Sequence, residues 1–188
     1  MTVGRRPLIW LGLPLGLACA EPEPAVQAPA EPTISAVSGD SAGILAAARE
    51  VMAEARYATL ISLGPDGHPQ ARIMEPFAPE EDFTIWMATN SRSRKVTEIA
   101  RDPRVTLLYF DRDGASYVTL VGRAEAVSDP EMKARYWKTE WAAFYPDEYR
   151  GEDYLLIKVV ARRLEVSAER LGIMNDPVTW RPAIVEWR

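Results

Sequence analysis

Between Tyr57 and Ser167 the chain is a succession of β-rich runs, most of them joined by turns too short to hold a helix. Tyr57–Leu63 runs into Gly64-Pro65-Asp66-Gly67, and Gln70–Met74 returns from it. Val105–Phe110 runs into Asp111-Arg112-Asp113-Gly114, and Ser116–Val127 returns in the same way, with Gly122 inside it. A turn of that length can only join antiparallel neighbours. Phe83–Ala88, Tyr154–Val160 and Leu164–Ser167 add further runs rich in β-branched and aromatic residues. Helical patterns are inserts. From a cap at Asp40 or Ser41, Ile44, Leu45, Ala48, Val51 and Met52 recur at helical spacing to Ala55. Ser93–Arg101 is stopped by Asp102-Pro103, and Asp129-Pro130 opens a helix expected to reach about Phe144. Strand and helix do not alternate regularly, which argues against a doubly wound nucleotide fold. The pattern predicts a mainly β domain with inserted α, in which six or seven antiparallel strands close or half-close into a barrel with helical covers.

The 188 residues carry 22 Lys+Arg against 27 Asp+Glu, a formal charge of −5. That balance gives no general attraction for nucleic acid or anionic lipid, so any phosphate must be met by a local basic cluster. A single Cys and a single His exclude an intrachain disulfide and give no ligand set for a Cys/His zinc site.

Residues 1–20 read as an address. Arg5-Arg6 precede an apolar stretch, Leu8–Ala18, that is short for a membrane span, and no acid occurs before Glu21. Two processing routes compete. Ala18-Cys19-Ala20 suits cleavage before Glu21, whereas Leu17-Ala18-Cys19 resembles the end of a lipobox, with lipidation of Cys19. The Arg pair also resembles a twin-arginine signal. The expectation is an exported protein, periplasmic or lipid-anchored at Cys19. Residues 21–39 contain four prolines without hydrophobic periodicity and read as an extended linker, leaving 40–188 as the domain.

The most informative stretch is Thr89–Lys95. It follows a strand and opens a helix, and Arg92, Arg94 and Lys95 place three cations where the helix dipole disfavours them. With Ser91 and Ser93 hydroxyls and free helix amides, such a turn can hold a phosphate; a solvated basic turn is the plainer alternative. Arg72 lies in a strand between Ala71 and Ile73 and could join Arg94 and Lys95 in a clamp if the fold brings them together.

Taken in order, Gly67-His68-Pro69-Gln70-Ala71-Arg72, Thr89-Asn90, Ser93-Arg94-Lys95, Asp102-Pro103-Arg104-Val105 and Gly122-Arg123-Ala124-Glu125 resemble the pyridoxamine 5′-phosphate oxidase-like FMN-binding split barrels, nearest the bacterial general stress protein type. The resemblance runs from about Tyr57 to Val166. It implies a split β-barrel, a homodimer, and FMN held by Arg72, Arg94 and Lys95 at its phosphate, with the Ser93 hydroxyl beside them. It further implies flavin contacts from Ala88 and Thr89, and a contribution of Ser116 and Tyr117 from a partner subunit. Two departures argue against vitamin B6 synthesis: Phe77 or its neighbours stand where the oxidase carries a basic residue for its substrate phosphate, and the C-terminal segment lacks the oxidase's arginines.

The function expected is flavin-dependent redox chemistry on a small molecule, with no side chain singled out as acid, base or nucleophile. A non-catalytic flavin store or stress protein, a deazaflavin or haem binder on the same barrel, and a cofactor-free lipoprotein are the alternatives. His68 reads as a turn residue facing solvent. Trp137, Trp141, Phe144 and Tyr145 read as one helical stripe against the core or a dimer partner, with flavin stacking as the sharper alternative.

Overall fold

A computed structural model describes residues 41–187 and, for its backbone, residues 32–34. The expected signal segment with Cys19, the remainder of the linker, and Asp40 lie outside the described residues. The elements are β1 (Pro32–Ile34), α1 (Ser41–Ala55), β2 (Ala58–Leu63), β3 (Pro69–Met74), β4 (Ile85–Asn90), α2 (Arg94–Arg101), β5 (Arg104–Asp111), β6 (Ser116–Val127), α3 (Pro130–Arg135), β7 (Tyr154–Ser167) and β8 (Ala183–Trp187).

Every strand pairing is antiparallel, in the order β1-β8-β7-β6-β5-β2-β3, with β4 on β7. The first half of β7 carries β4 on the side where its second half carries β8. Past β3 the chain reaches β4 at one bridge, Pro76 to Met87, reinforced by Phe77 N–H donating to Trp86 O at 2.9 Å. That contact curls β3 onto β4 and makes the sheet a split barrel. Inward residues alternate along the strands: Ala58 and Leu60, Val105, Leu107 and Tyr109, and Val118 and Leu120 are buried, while their neighbours face out. Helix α1 lays Ile44, Ala48, Val51 and Met52 on this core.

Three expectations from sequence are corrected. Tyr154–Val160 and Leu164–Ser167 are one strand, β7. Pairing steps from Gly122↔Ala161 to Val121↔Arg163, so Arg162 is the extra residue of a bulge rather than a break. Gly122 is needed there, because a Cβ would stand 2.4 Å from the Val160 carbonyl oxygen. The helix expected to run from Asp129 to about Phe144 ends at Arg135 and gives way to short 3₁₀ turns at Thr139–Ala143 and Glu148–Arg150. The reason is convergence. Trp137, Trp141 and Tyr145 all meet the ring of Tyr154, at 5.1, 6.1 and 5.1 Å between centroids. A straight helix would spread those residues over about 12 Å. Phe144, placed in the same stripe, is exposed. Finally, β8 is a strand where none was expected, and Pro32–Ile34, in the stretch read as linker, pairs with it.

Candidate functional site

Helix α2 starts at Arg94 with Ser93 as its N-cap, directly after β4. The Ser93 hydroxyl makes no bond to the helix amides; it lies 3.1 Å from Thr89 Oγ1. Thr89 is buried, and its hydroxyl also accepts from Lys95 Nζ at 2.9 Å. Lys95 is therefore folded back over the helix start rather than extended into solvent. Burial and the nearby Arg72 charge depress its pKa, only partly opposed by Glu98. Arg72, on β3, faces the same place from the sheet. Its guanidinium donates to Glu98 Oε2 at 2.6 Å and to the Ser62 hydroxyl. Arg94, mostly exposed, stands 2.8 Å from Glu98 Oε1, an ion pair one helical turn apart.

Glu98 is the hub of this cluster, and sequence reading missed it. Its side chain is 3% exposed, and Ser62 Oγ also donates to it at 2.6 Å. Burial would raise its pKa, but the hydrogen bonds from Ser62 and Arg72 and the charges of Arg72 and Arg94 hold it below the ordinary carboxylate value. One signal was available: Glu98 follows Arg94 by four residues and sits beside Ile99, on the buried side of α2. So Arg72, Thr89, Ser93, Arg94 and Lys95 are brought together as expected, around a carboxylate that was not expected. Three cations against one buried carboxylate leave the cluster positive. Arg92, by contrast, is exposed, with its N–H on Asn90 Oδ1.

Ala88, one residue before Thr89, opens onto a cavity of about 470 Å³ lined also by Glu75, Asn90, Trp141, Phe144 and Tyr145. Behind it Trp86, Tyr136, Tyr154 and Leu156 form an apolar cluster, with Trp86 stacked on Tyr136 at 5.0 Å. Phe77 packs edge-on against Tyr136 and Trp141, and Lys138 lies over both Phe77 and Trp141. The candidate site thus has two parts: a cationic cluster at a helix start, reached by Thr89, and an aromatic-walled chamber reached by Ala88 on the other face of β4.

Ser116 and Tyr117 are elsewhere within the chain. Ser116 pairs with Asp111 at the far end of β5, whereas Ser62 lies next to the Ile61↔Thr106 pair, about 20 Å away along the strands at roughly 3.4 Å per residue. Ser116 is buried and donates to Gly114 O at 2.9 Å; Tyr117 is half-buried on the opposite face. His68 is exposed in its turn.

The sequence profile of the pyridoxamine 5′-phosphate oxidase family matches residues 44–167. A pyridoxine/pyridoxamine 5′-phosphate oxidase of Cupriavidus pinatubonensis is 35% identical over 105 residues, covering 52% of this chain and 49% of that protein. The chain thus spans about half the length of the curated relatives it matches. Among solved structures, a Clostridium acetobutylicum protein related to general stress protein 26 aligns with a TM-score of 0.61 at 19% identity, over 69% of this chain and 91% of that one. A pyridoxamine 5′-phosphate oxidase-related, FMN-binding protein of Nostoc punctiforme aligns with a TM-score of 0.56 at 14% identity, over 81% and 95%. At those identities the likeness speaks for the split-barrel fold. With the profile spanning two-thirds of the sequence, the chain belongs to the pyridoxamine 5′-phosphate oxidase family.

Proposed function

We propose that the protein binds FMN and serves as a flavin-dependent oxidoreductase on a small molecule, as an exported homodimer. The observation that supports this reading most is the half-buried Lys95, folded back onto Thr89 and set among Arg72, Arg94 and the Ser93 hydroxyl. A dianionic phosphate is what that donor set suits. It takes hydroxyl and amide hydrogen bonds at the start of α2 and restores favourable surroundings to a lysine that burial penalises. The aromatic chamber beside Ala88 suits a planar ring system. When bound, the flavin supplies hydride or single-electron transfer. The chain's own work is to fix the phosphate at Arg72, Arg94 and Lys95, to orient the rest through Ala88 and Thr89, and to exclude water with Trp141 and Tyr145.

Phe77 lies in the aromatic cluster, and a phosphate on the substrate would find no cation in that side chain. In this reading the strand end at Ser116 and Tyr117, with Tyr117 on the outer face, contributes to the flavin site of a second subunit, and the Arg5-Arg6 segment with Cys19 supports export across the cytoplasmic membrane. The test is a titration of purified protein with FMN and with riboflavin. FMN is expected to bind at least tenfold more tightly, about 1.4 kcal/mol; equal affinities overturn the phosphate assignment. Reduction of the bound flavin by NAD(P)H, with reoxidation, separates a working redox centre from a flavin store.

A further inference from the structure

A second cavity, of about 350 Å³, lies between α1 and the chain crossing from β3 to β4. We propose that it is a binding site for a small aromatic carboxylate, separate from the flavin phosphate cluster and independent of the flavin reading. Its wall is apolar where Met52, Phe77 and the prolines Pro76 and Pro79 meet. Tyr109 reaches it from the barrel interior. That side chain is 2% exposed, and its hydroxyl has no hydrogen-bond partner among the described residues. A buried hydroxyl without a partner is costly. Here it belongs to a residue that borders a space large enough for a ring; the hydroxyl itself is closed off from that space, and a tilt of the Tyr109 ring is needed to bring it to a ligand oxygen.

Charge selects the kind of ligand. Two guanidinium groups, Arg49 and Arg56, line the cavity against one carboxylate, Glu75. Arg49 donates to the backbone carbonyls of Pro79, Glu80 and Glu81 and lies over the Phe83 ring, so its position is fixed; among the described residues it makes no ion pair. Arg56 is 3.2 Å from Glu75, which Lys138 approaches at 3.4 Å. Glu75 thus already has a cation on each side, and the chamber keeps a positive balance. An apolar slot, an unpartnered hydroxyl just behind its inner wall and excess guanidinium charge together describe an aromatic ring bearing a carboxylate.

The experiment is calorimetric titration of the full chain with benzoate, with neutral benzamide as control, without FMN and at saturating FMN. Benzoate is expected to bind in both states, and benzamide about tenfold more weakly. Tyr109→Phe and Arg56→Gln should each weaken benzoate roughly three- to tenfold. Tyr109→Phe should melt at or above the parent's temperature, since it removes only an unsatisfied group. Four results overturn the proposal: no benzoate binding up to millimolar concentration, equal binding of benzoate and benzamide, variants that bind like the parent, or a lower melting temperature for Tyr109→Phe. Loss of benzoate binding on adding FMN overturns it too, because the cavity would then be part of the flavin site.

Discussion

A lysine partly withdrawn from water beside an arginine is a charge in need of a counter-ion, and Lys95 is such a residue. Changing Arg94 and Lys95 together to Ala should lower FMN affinity at least tenfold, about 1.4 kcal/mol. Without FMN the same change should move stability by less than about 1 kcal/mol, because relief of two cations at a helix start offsets the loss of an ion pair whose arginine lies in water, while Arg72 and Ser62 still hold the buried Glu98. Melting curves with and without FMN check this: the parent gains from the ligand and the variant gains much less. Glu98 behaves oppositely. Its folded pKa is depressed, so its contribution is complete above the unfolded value and is lost as pH falls through the folded one. Glu98→Gln should therefore cost about 2 kcal/mol near neutral pH, in the range of one charge-assisted hydrogen bond. The gap from the parent should narrow towards pH 3, as read from urea midpoints at the two pH values. Arg94, Lys95 and the Thr89 and Ser93 hydroxyls were legible in the sequence because their chemistry is local to one turn; Arg72, on β3, was legible only as a cation whose place beside them depended on the fold. Glu98 and Ser62 were not, since a Glu on a short helix ordinarily faces water, and only the register of β2 on β3 turns Ser62 towards it.

At the scale of elements, both turn-linked hairpins were legible, because a Pro-Asp-Gly or Asp-Arg-Asp-Gly turn between β-rich runs leaves few alternatives. Helix α2 was legible from its Asp-Pro stop. What stayed hidden depended on distant partners. The continuity of β7 rests on a bulge whose other half is Gly122, and the broken path after α3 rests on Tyr154, a residue of another strand. β8 offers only five residues of weak pattern and is held by β7 and β1. The bulge gives a direct test. Gly122→Ala sets a Cβ against the Val160 carbonyl, backbone that cannot rotate away. The expected cost is about 1–3 kcal/mol, as for overpacking elsewhere. It should appear as a lower urea midpoint with an unchanged slope.

For the whole molecule, the outer face of the β3-β2-β5-β6 sheet is where the proposed association with a second copy can be tested. Ile73 is 66% and Phe110 58% exposed, with Leu108 and Tyr117 half-buried on the same face. Exposed apolar residues interleaved with threonines such as Thr59 and Thr119 suit a two-fold contact with a second copy. Light scattering at tens of micromolar should give a dimer for the parent, and a monomer for Ile73→Glu combined with Phe110→Glu. The monomer should also bind FMN more weakly, because Tyr117, on that outer face, could no longer reach a neighbour's flavin. The barrel has one further property that none of these experiments requires. Among the described residues its β3–β4 edge is fastened at a single bridge, and one of the two residues there is Pro76, which has no N–H to give. The remaining tie is the Phe77 amide on Trp86 O. A cylinder held shut by one such stitch has a preferred place to breathe. Local opening there would separate the walls carrying Glu75 and Ala88 while leaving the other strand ladders intact. In hydrogen-exchange terms, the Phe77 amide should lose its protection well before those of β6 and β7. The slit would then be the path by which a planar guest passes between solvent and the barrel wall.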